Sequence, residues 1–304
     1  MVLLPVETPT APRKRRRLRY LWIPAAVLLA VFLLNLFLQN VWAHRQERFF
    51  PDYDPVDLSP LWEQESLSSS DYDLILTQTG LARPAVDALL SLGQAGIAQI
   101  EETQDRFFTP QEEECMTLIG GRFTCEDRLV DGEGNRAFSV PLAPLEKGDI
   151  IVTFSTHTFG WRHGHAGLVV QDGEEPITLE AVMMFSDSSQ SYAWHWETYS
   201  NFMVLRVRDA DGQTRQAVAE FALEHLDQIP YRLTSGIFSP KAPEAESDLG
   251  AQCAYLPWYA WQAFGYDLDS DGGKIVTVLD LAQSPLVEVV QVYGIDPSLF
   301  AASD

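Results

Sequence analysis

The longest uncharged stretch of the chain lies near its N-terminus. No charged residue occurs in 21–43, and basic residues are concentrated on the N-terminal side of this run, in 13–19. Such a run is typical of a helix that crosses a bilayer once, and the basic flank predicts a cytoplasmic tail over 1–20. Val41 and Ala43 also fit a signal-peptide cleavage pattern before His44, but the run is longer than a usual signal core. We therefore expect an uncleaved transmembrane anchor over 21–43 in a single-pass cell-membrane protein, with the rest of the chain extracytoplasmic.

Two regions without strand patterning follow the anchor. Residues 44–69 are rich in Pro, Ser and acidic residues and have no sustained period, which predicts a juxtamembrane stalk. Residues 70–143 begin with a short helical pattern that ends at Gly80. A second helical pattern starts at Pro84, with apolar residues spaced by three and four. We expect a helical lead-in over 70–143.

The pattern changes to short strands after residue 144. Runs rich in β-branched or aromatic residues, each bounded by Gly, Asp or Pro, occur at 148–154, 166–173, 177–182 and 202–208. A helical period returns at 213–228, and an aromatic helix follows Cys253 and ends at Gly265. Consecutive strands with helices before and after predict an α+β domain over 144–304, an antiparallel sheet packed on helices.

Charge and cysteine usage narrow the function classes. The net charge of −22 argues against nucleic acid or anionic lipid surfaces as partners. Cys115 and Cys125 flank a Gly120–Gly121 turn, so in an oxidising exterior they are expected to form a short disulfide. Cys253 then has no cysteine to pair with, and it is either a reactive thiol or an inert buried cysteine.

Three residues could combine into a catalytic triad. Cys253 follows a polar, Gly-containing loop at the start of a helix, where free N–H groups and the helix dipole stabilise a thiolate. Of three histidines within nine residues, His157, His163 and His165, the last opens a strand. Glu180 lies in the next apolar strand, where a carboxylate needs a partner. A nucleophile requires such a base, and a base requires an orienting acid.

Other interpretations of these residues stay open at this point. His163 and His165 share one face of a strand and could bind zinc together with Glu180. Each histidine could equally be a surface or core residue, and Glu180 could face solvent. A binding module without turnover is a further possibility.

The motifs "GDII", "HGHAG", "ITLEA", "PY" and "QCAYLPWYAW", in this order, resemble the YiiX-like, circularly permuted branch of the NlpC-type papain-like cysteine hydrolases. The resemblance covers about residues 144–290. It implies a permuted papain-like fold and a peptidase or amidase, with Cys253 as nucleophile, His165 as base and Glu180 as orienting acid. It places Tyr231 beside the thiol, and we expect His163 and Trp161 to contribute to substrate binding.

The expected substrate follows from the same resemblance. It implies an amide bond in a peptide or in peptidoglycan stem peptides, with thiol-dependent hydrolysis or transfer of lipid acyl groups as the alternative. No cofactor is expected. Asp267, Asp269 and Asp271 precede Gly272 with the spacing of a calcium loop, but Val278 stands where such a loop requires Glu, so a solvated acidic turn is the preferred interpretation.

Overall fold

The computed structural model describes residues 14–41, 48–119, 124–243 and 249–301. It divides into two compact units. The first contains helix α1 (Lys14–Val41) and residues 159–161, and the second contains the remaining elements.

The transmembrane anchor predicted over 21–43 is wrong. Within the described ranges, the structure has no helix whose length and apolarity suffice for a bilayer crossing. Helix α1 includes the basic residues at its start. The single-pass cell-membrane localisation, which rested on this helix, is corrected with it.

Besides α1, the described residues form six α-helices, three short 3₁₀ helices and ten strands, all in the second unit except Trp161 of β5. The helices are α2 (Ser69–Thr79), α3 (Arg83–Ser91), α4 (Gln94–Phe107), α5 (Gly212–His225), α6 (Tyr255–Gln262) and α7 (Val278–Gln283). The 3₁₀ helices are Ser59–Glu63, Ala193–Thr198 and Pro297–Phe300. The strands are β1 (Glu112–Ile119), β2 (Thr124–Val130), β3 (Ile150–Thr153), β4 (Thr156–Thr158), β5 (Trp161–Arg162), β6 (His165–Gln171), β7 (Ile177–Glu180), β8 (Ser189–Tyr192), β9 (Phe202–Val207) and β10 (Val287–Tyr293).

The central sheet is antiparallel throughout and has the strand order β10-β9-β3-β6-β7-β8. Its strands alternate between two hydrophobic clusters: Ile150 and Val152 belong to one, Ile151 to the other. This two-sided burial is what period-two side-chain alternation produces when helices cover both faces. The α+β architecture with antiparallel sheets is thus observed.

Helices from the two ends of the chain cover the sheet. Helices α5 and α6 contribute to the same cluster as Val152, and α2 to α4 contribute mainly to the cluster that holds Ile151. Helix α6 is fixed to the start of β3 because Trp261 Nε1 donates to the Gly148 carbonyl at 3.0 Å. Gly148 has φ +84°, and a Cβ there would lie 2.8 Å from the Trp261 ring. A side chain at this position would therefore displace the helix that follows Cys253.

The region before the sheet differs from the sequence prediction in two respects. Of the stalk predicted over 44–69, residues 44–47 lie outside the described part of the chain. The remainder packs into the domain, with Leu58 and Leu61 buried and the Tyr53 hydroxyl donating to the Thr77 carbonyl. The helical lead-in is followed by an antiparallel hairpin of β1 and β2, and β2 also pairs with β4. Acidic Glu112, Glu113 and Glu114 at the start of β1 hide its strand character in the sequence.

The disulfide predicted between Cys115 and Cys125 is absent, since neither residue is joined in a disulfide in the structure. Register explains why spacing alone misled: Cys125 lies opposite Thr117, and Cys115 lies opposite Asp127. The two cysteines are therefore diagonal neighbours on a hairpin. Their side chains approach closely enough to hydrogen bond.

Candidate active site

Cys253 occupies the turn immediately before α6, whose N-cap is Ala254. The Gln252 side chain shapes this turn: its Oε1 accepts from the Ala254 N–H at 2.8 Å and lies 3.6 Å from Cys253 Sγ. Pro257 falls in the first turn of the helix, where an N–H has no intrahelical partner. The proline therefore costs the helix no hydrogen bond and leaves the position of the thiol intact.

His165 and Glu180 are brought together by the pairing of β6 with β7. Glu180 lies opposite Gly167, two residues after His165, so the histidine and the glutamate are diagonal neighbours on one face. His165 Nε2 bonds Glu180 Oε2 at 2.7 Å, and both residues are buried. The Cys253 side chain lies close enough to the same ring to raise its pKa. Cys253, His165 and Glu180 thus follow one another in a chain of neighbouring side chains.

Electrostatics favour a charged histidine and a charged glutamate in this chain. Burial alone would lower the pKa of His165, but hydrogen bonds to Cys253 and Glu180 outweigh it and raise the pKa to about 10. Burial would raise the pKa of Glu180, yet hydrogen bonds from His165 and His195 hold it well below its ordinary range. The pair therefore behaves as an imidazolium and a carboxylate in a dry environment, which is the state that stabilises a neighbouring thiolate.

A second histidine, His195, contacts Glu180 and was not predicted from the sequence. His195 lies in the 3₁₀ helix after β8, and its Nε2 bonds Glu180 Oε1 at 2.7 Å. Thr178 Oγ1 also donates to Glu180 Oε1, at 2.6 Å. Both carboxylate oxygens are thus fully engaged. The sequence marks His195 only by its position between Trp194 and Trp196. That pattern does not indicate which carboxylate the His195 ring contacts.

Trp196 covers the triad. Its ring stacks on His165 with a centroid distance of 5.3 Å and an interplanar angle of 7°. Gly167 makes room for it, since a Cβ there would lie 2.8 Å from Trp196 and 3.0 Å from Glu180. The stacked indole excludes water from one face of the imidazole, and the missing side chain at Gly167 lets the carboxylate reach it.

The three residues predicted to bind substrate are placed differently. Tyr231 lies close to Cys253, where burial and the charge of Cys253 raise the pKa of its hydroxyl. His163 is engaged elsewhere: its Nε2 meets Thr158 Oγ1 and its Nδ1 meets the Gly164 carbonyl, both at 2.9 Å. Trp161 is 67 % exposed. His163 and His165 therefore do not direct their ring nitrogens at one shared ion.

Two exposed apolar loops lie beside Tyr231. The first follows Glu180 and includes Val182, Met183, Met184 and the fully exposed Phe185. The second includes Leu233, Ile237 and Phe238, of which Phe238 is 86 % exposed. The Tyr231 N–H donates to the Ser186 carbonyl at 3.0 Å, which joins the two loops next to the thiol. We call these residues the apolar rim.

The acidic turn after α6 is already neutralised in part. Asp269, Asp271 and Asp280 bring carboxylate oxygens together. The Lys241 ammonium contacts Asp269, and Asp280 caps α7 by accepting from the Thr277 N–H at 2.8 Å. A lysine therefore supplies a positive charge next to this cluster. The Asp269 side chain is nevertheless fully buried, and its Oδ1 has no hydrogen-bond partner among the described residues, so this part of 267–272 is not a solvated turn.

Comparisons with known proteins add little to this geometry. No protein-family model and no curated protein matches the chain. The crystal structure of the metalloprotein yiiX from Escherichia coli O157:H7 is similar, with a TM-score of 0.37 and 16 % identity, over 48 % of this chain and 96 % of that chain. This supports a distant YiiX-like likeness at most and does not extend to the wider NlpC-type papain-like family.

Proposed function

We propose that this protein is a cysteine hydrolase whose nucleophile is Cys253. The observation that carries the proposal is the buried, hydrogen-bonded pair of His165 and Glu180, with the partly buried Cys253 thiol beside the His165 ring. Two histidines and a threonine donate to one buried carboxylate. Burying this many polar groups costs free energy that a purely structural core would not need to spend. Groups with strongly shifted pKa values also cluster at functional sites.

In the proposed reaction the Cys253 thiolate attacks the carbonyl carbon of an acyl donor. The carbonyl oxygen takes up negative charge, and the Cys253 backbone N–H is the proposed donor to it. The His165 imidazolium gives its proton to the leaving amine or alcohol as the carbon–leaving-group bond breaks, which leaves a thioester on Cys253. Neutral His165 then takes a proton from water, whose oxygen attacks the thioester and releases the acid and the thiolate. Glu180 holds the imidazole in one orientation throughout.

The proposed substrate is an amide of peptide type, including peptidoglycan-like peptides. An acyl ester or thioester of a lipid is the second candidate, and the apolar rim favours it. Four exposed apolar residues lie on the first loop and three on the second, and the two loops meet at Tyr231. Exposed apolar patches next to a nucleophile suit a hydrophobic acyl group, because binding it removes that surface from water.

The proposal is tested by measuring the rate at which iodoacetamide alkylates each cysteine, followed by peptide mass spectrometry. Cys253 should react faster than Cys115 and Cys125 near neutral pH, and His165→Ala should slow this reaction strongly. His163→Ala is the matched control, because it also removes a partly buried histidine but leaves the triad intact. Equal rates in the two histidine variants would contradict the proposal.

Turnover on peptide and acyl-ester libraries then separates the substrate candidates. Cys253→Ala should abolish hydrolysis of whichever class is cleaved. Paired substitutions Phe185→Ser and Phe238→Ser in the apolar rim should raise KM for long-chain acyl esters and leave KM for short peptides unchanged. If both classes respond equally, the apolar rim has no role in selecting the substrate.

A further inference from the structure

Four side chains with metal-site chemistry project from one face of the sheet formed by β1, β2 and β4. Cys125 pairs directly with His157 across β2 and β4. Cys115 pairs with Asp127 across β1 and β2, and Asp127 is two residues beyond Cys125. Directly opposed residues and residues two apart share a face of a pleated sheet. Cys115, Cys125, Asp127 and His157 therefore converge from three neighbouring strands.

One ring nitrogen of His157 lies near the two sulfurs. His157 is only 2 % exposed, and its Nε2 meets Asp127 Oδ1 at 3.2 Å. Its Nδ1 is buried and has no hydrogen-bond partner among the described residues. A buried ring nitrogen without a partner is costly. Together with the sulfurs of Cys115 and Cys125, one ring nitrogen of His157 forms a set of potential ligand atoms that all lie within 4.8 Å of one another.

We propose that Cys115, Cys125 and His157 bind one zinc ion, with Nδ1 as the histidine ligand. Two sulfurs and one imidazole nitrogen are a donor set that zinc prefers, with bonds of about 2.3 Å to sulfur and about 2.0–2.1 Å to nitrogen. Tetrahedral geometry then separates ligand atoms by roughly 3.5–4 Å, so only a small closure of the observed cluster is required. Water completes the four-coordinate site.

Asp127 supports this assignment as the residue that fixes the ring. Metal-bound histidines commonly donate their second ring N–H to a carboxylate, which sets the tautomer and makes the other nitrogen a better ligand. Asp127 accepts from Nε2, and its other oxygen is held by Arg162 at 2.7 Å. Two thiolates balance the charge of Zn²⁺, so the bound ion adds no net charge beside this guanidinium.

The zinc site would act on the fold near the triad without entering its chemistry. The Gly164 N–H donates to the Thr156 carbonyl at 3.0 Å, one residue before His165. Zinc bound to His157 would therefore fix β4 against the hairpin and, through this bond, the start of β6. The role is structural and is independent of whether Cys253 is a nucleophile.

The test uses the full chain purified under reducing conditions, stripped with a chelator and titrated with Zn²⁺ and separately with Co²⁺. We expect one equivalent of zinc by mass spectrometry of the native protein and, for cobalt, thiolate-to-metal charge-transfer absorption of a four-coordinate site. Cys125→Ser and His157→Gln should lose stoichiometric binding. Asp127→Asn, which keeps all three ligands, should weaken zinc affinity by about 10- to 100-fold.

Matched controls separate loss of ligands from loss of fold. Cys253→Ser and His225→Gln remove a cysteine and a histidine from other elements and should keep one equivalent of zinc. Thermal unfolding of every apo variant reports whether it is folded, and zinc should raise Tm for the wild type but not for His157→Gln. Failure of the reduced wild type to bind zinc, equal binding by His157→Gln, or cobalt absorption without thiolate charge transfer would each overturn the proposal. Cys253→Ser removes the proposed nucleophile, so zinc binding by this variant tests the zinc site independently of the proposed hydrolase function.

Discussion

Replacing Glu180 by Gln tests the electrostatic arrangement of the triad most sharply. The carboxylate accepts from His165, His195 and Thr178 at 2.7, 2.7 and 2.6 Å. An amide has one acceptor oxygen and presents an NH₂ group on its other side. The substituted amide can therefore accept hydrogen bonds through one oxygen only. Where its NH₂ group faces a histidine, that histidine nitrogen must be unprotonated to accept the hydrogen bond. The variant keeps the volume of the side chain and removes its charge.

The size of the effect follows from the hydrogen bonds lost. A hydrogen bond to a charged group contributes about 1.5–3 kcal/mol, and about 1.4 kcal/mol corresponds to one pKa unit. Loss of the bond to His165 should lower the pKa of its imidazolium from about 10 by about 1–2 units. The imidazolium–thiolate pair should then lose population relative to the neutral pair by about 10- to 100-fold.

The assay is the second-order rate of Cys253 alkylation by iodoacetamide as a function of pH. In the wild type the alkaline change that reports His165 should occur near pH 10. In Glu180→Gln it should move to about pH 8–9, and the rate on the neutral plateau should fall. Thr178→Val, which removes a neutral donor, should shift the profile less. An unchanged profile in Glu180→Gln would refute the inferred coupling of the three residues.

Three further outcomes follow from the same geometry. Gly167→Ala should lower the free energy of unfolding in urea by about 1–3 kcal/mol and reduce activity, because the new Cβ meets Trp196 and Glu180. Gly212→Ala is the control: its Cβ has no neighbour within 4 Å, so it should leave the free energy of unfolding unchanged. His195→Ala should lower kcat by about 10-fold or more with little change in KM, since Glu180 loses a charge-assisted donor, and His195→Gln should restore part of it. The raised pKa of His165 predicts a stabilisation that is complete below about pH 6.5 and lost as the pH rises through about 10. The Tm difference between wild type and His165→Ala should therefore narrow with increasing pH across that window.

Each of these outcomes has a contradicting result. Equal stability losses for the two glycine variants would show that the contact with Trp196 is not the cause. A His195→Ala variant that changes only KM would assign His195 to substrate binding. A Tm difference that stays constant from about pH 6 to about pH 10 would show that His165 is not charged in the folded protein.

The core of the domain could be predicted because its strands are short, β-branched and bounded by breakers. The predicted strands at 148–154, 166–173, 177–182 and 202–208 correspond to β3, β6, β7 and β9 within a few residues. Strand β10 carries the same alternation of Val residues in Val287–Tyr293, so its signal was present in the sequence and went unused. The hairpin of β1 and β2 had no comparable signal, because acidic residues open its first strand.

Other features depend on contacts that no local pattern encodes. Leu58 and Leu61 become buried only because the domain offers them a surface, so a polar, proline-rich segment that resembles a stalk is part of the fold. His195 reaches Glu180 only after β8 returns the chain to the sheet. The anchor prediction rested on an uncharged run and its basic flank, and no helix among the described residues has the length and apolarity of a crossing.

The account rests on Cys253 acting as a nucleophile, and trapping an acyl-enzyme tests this most directly. The protein is incubated with an activated acyl ester, quenched in acid and analysed by intact and peptide mass spectrometry. We predict one acyl group on Cys253 that hydroxylamine removes, none in Cys253→Ala, little in His165→Ala and a normal amount in His163→Ala. Acylation distributed over Cys115 and Cys125, or turnover of the ester by Cys253→Ala at the wild-type rate, would contradict the account.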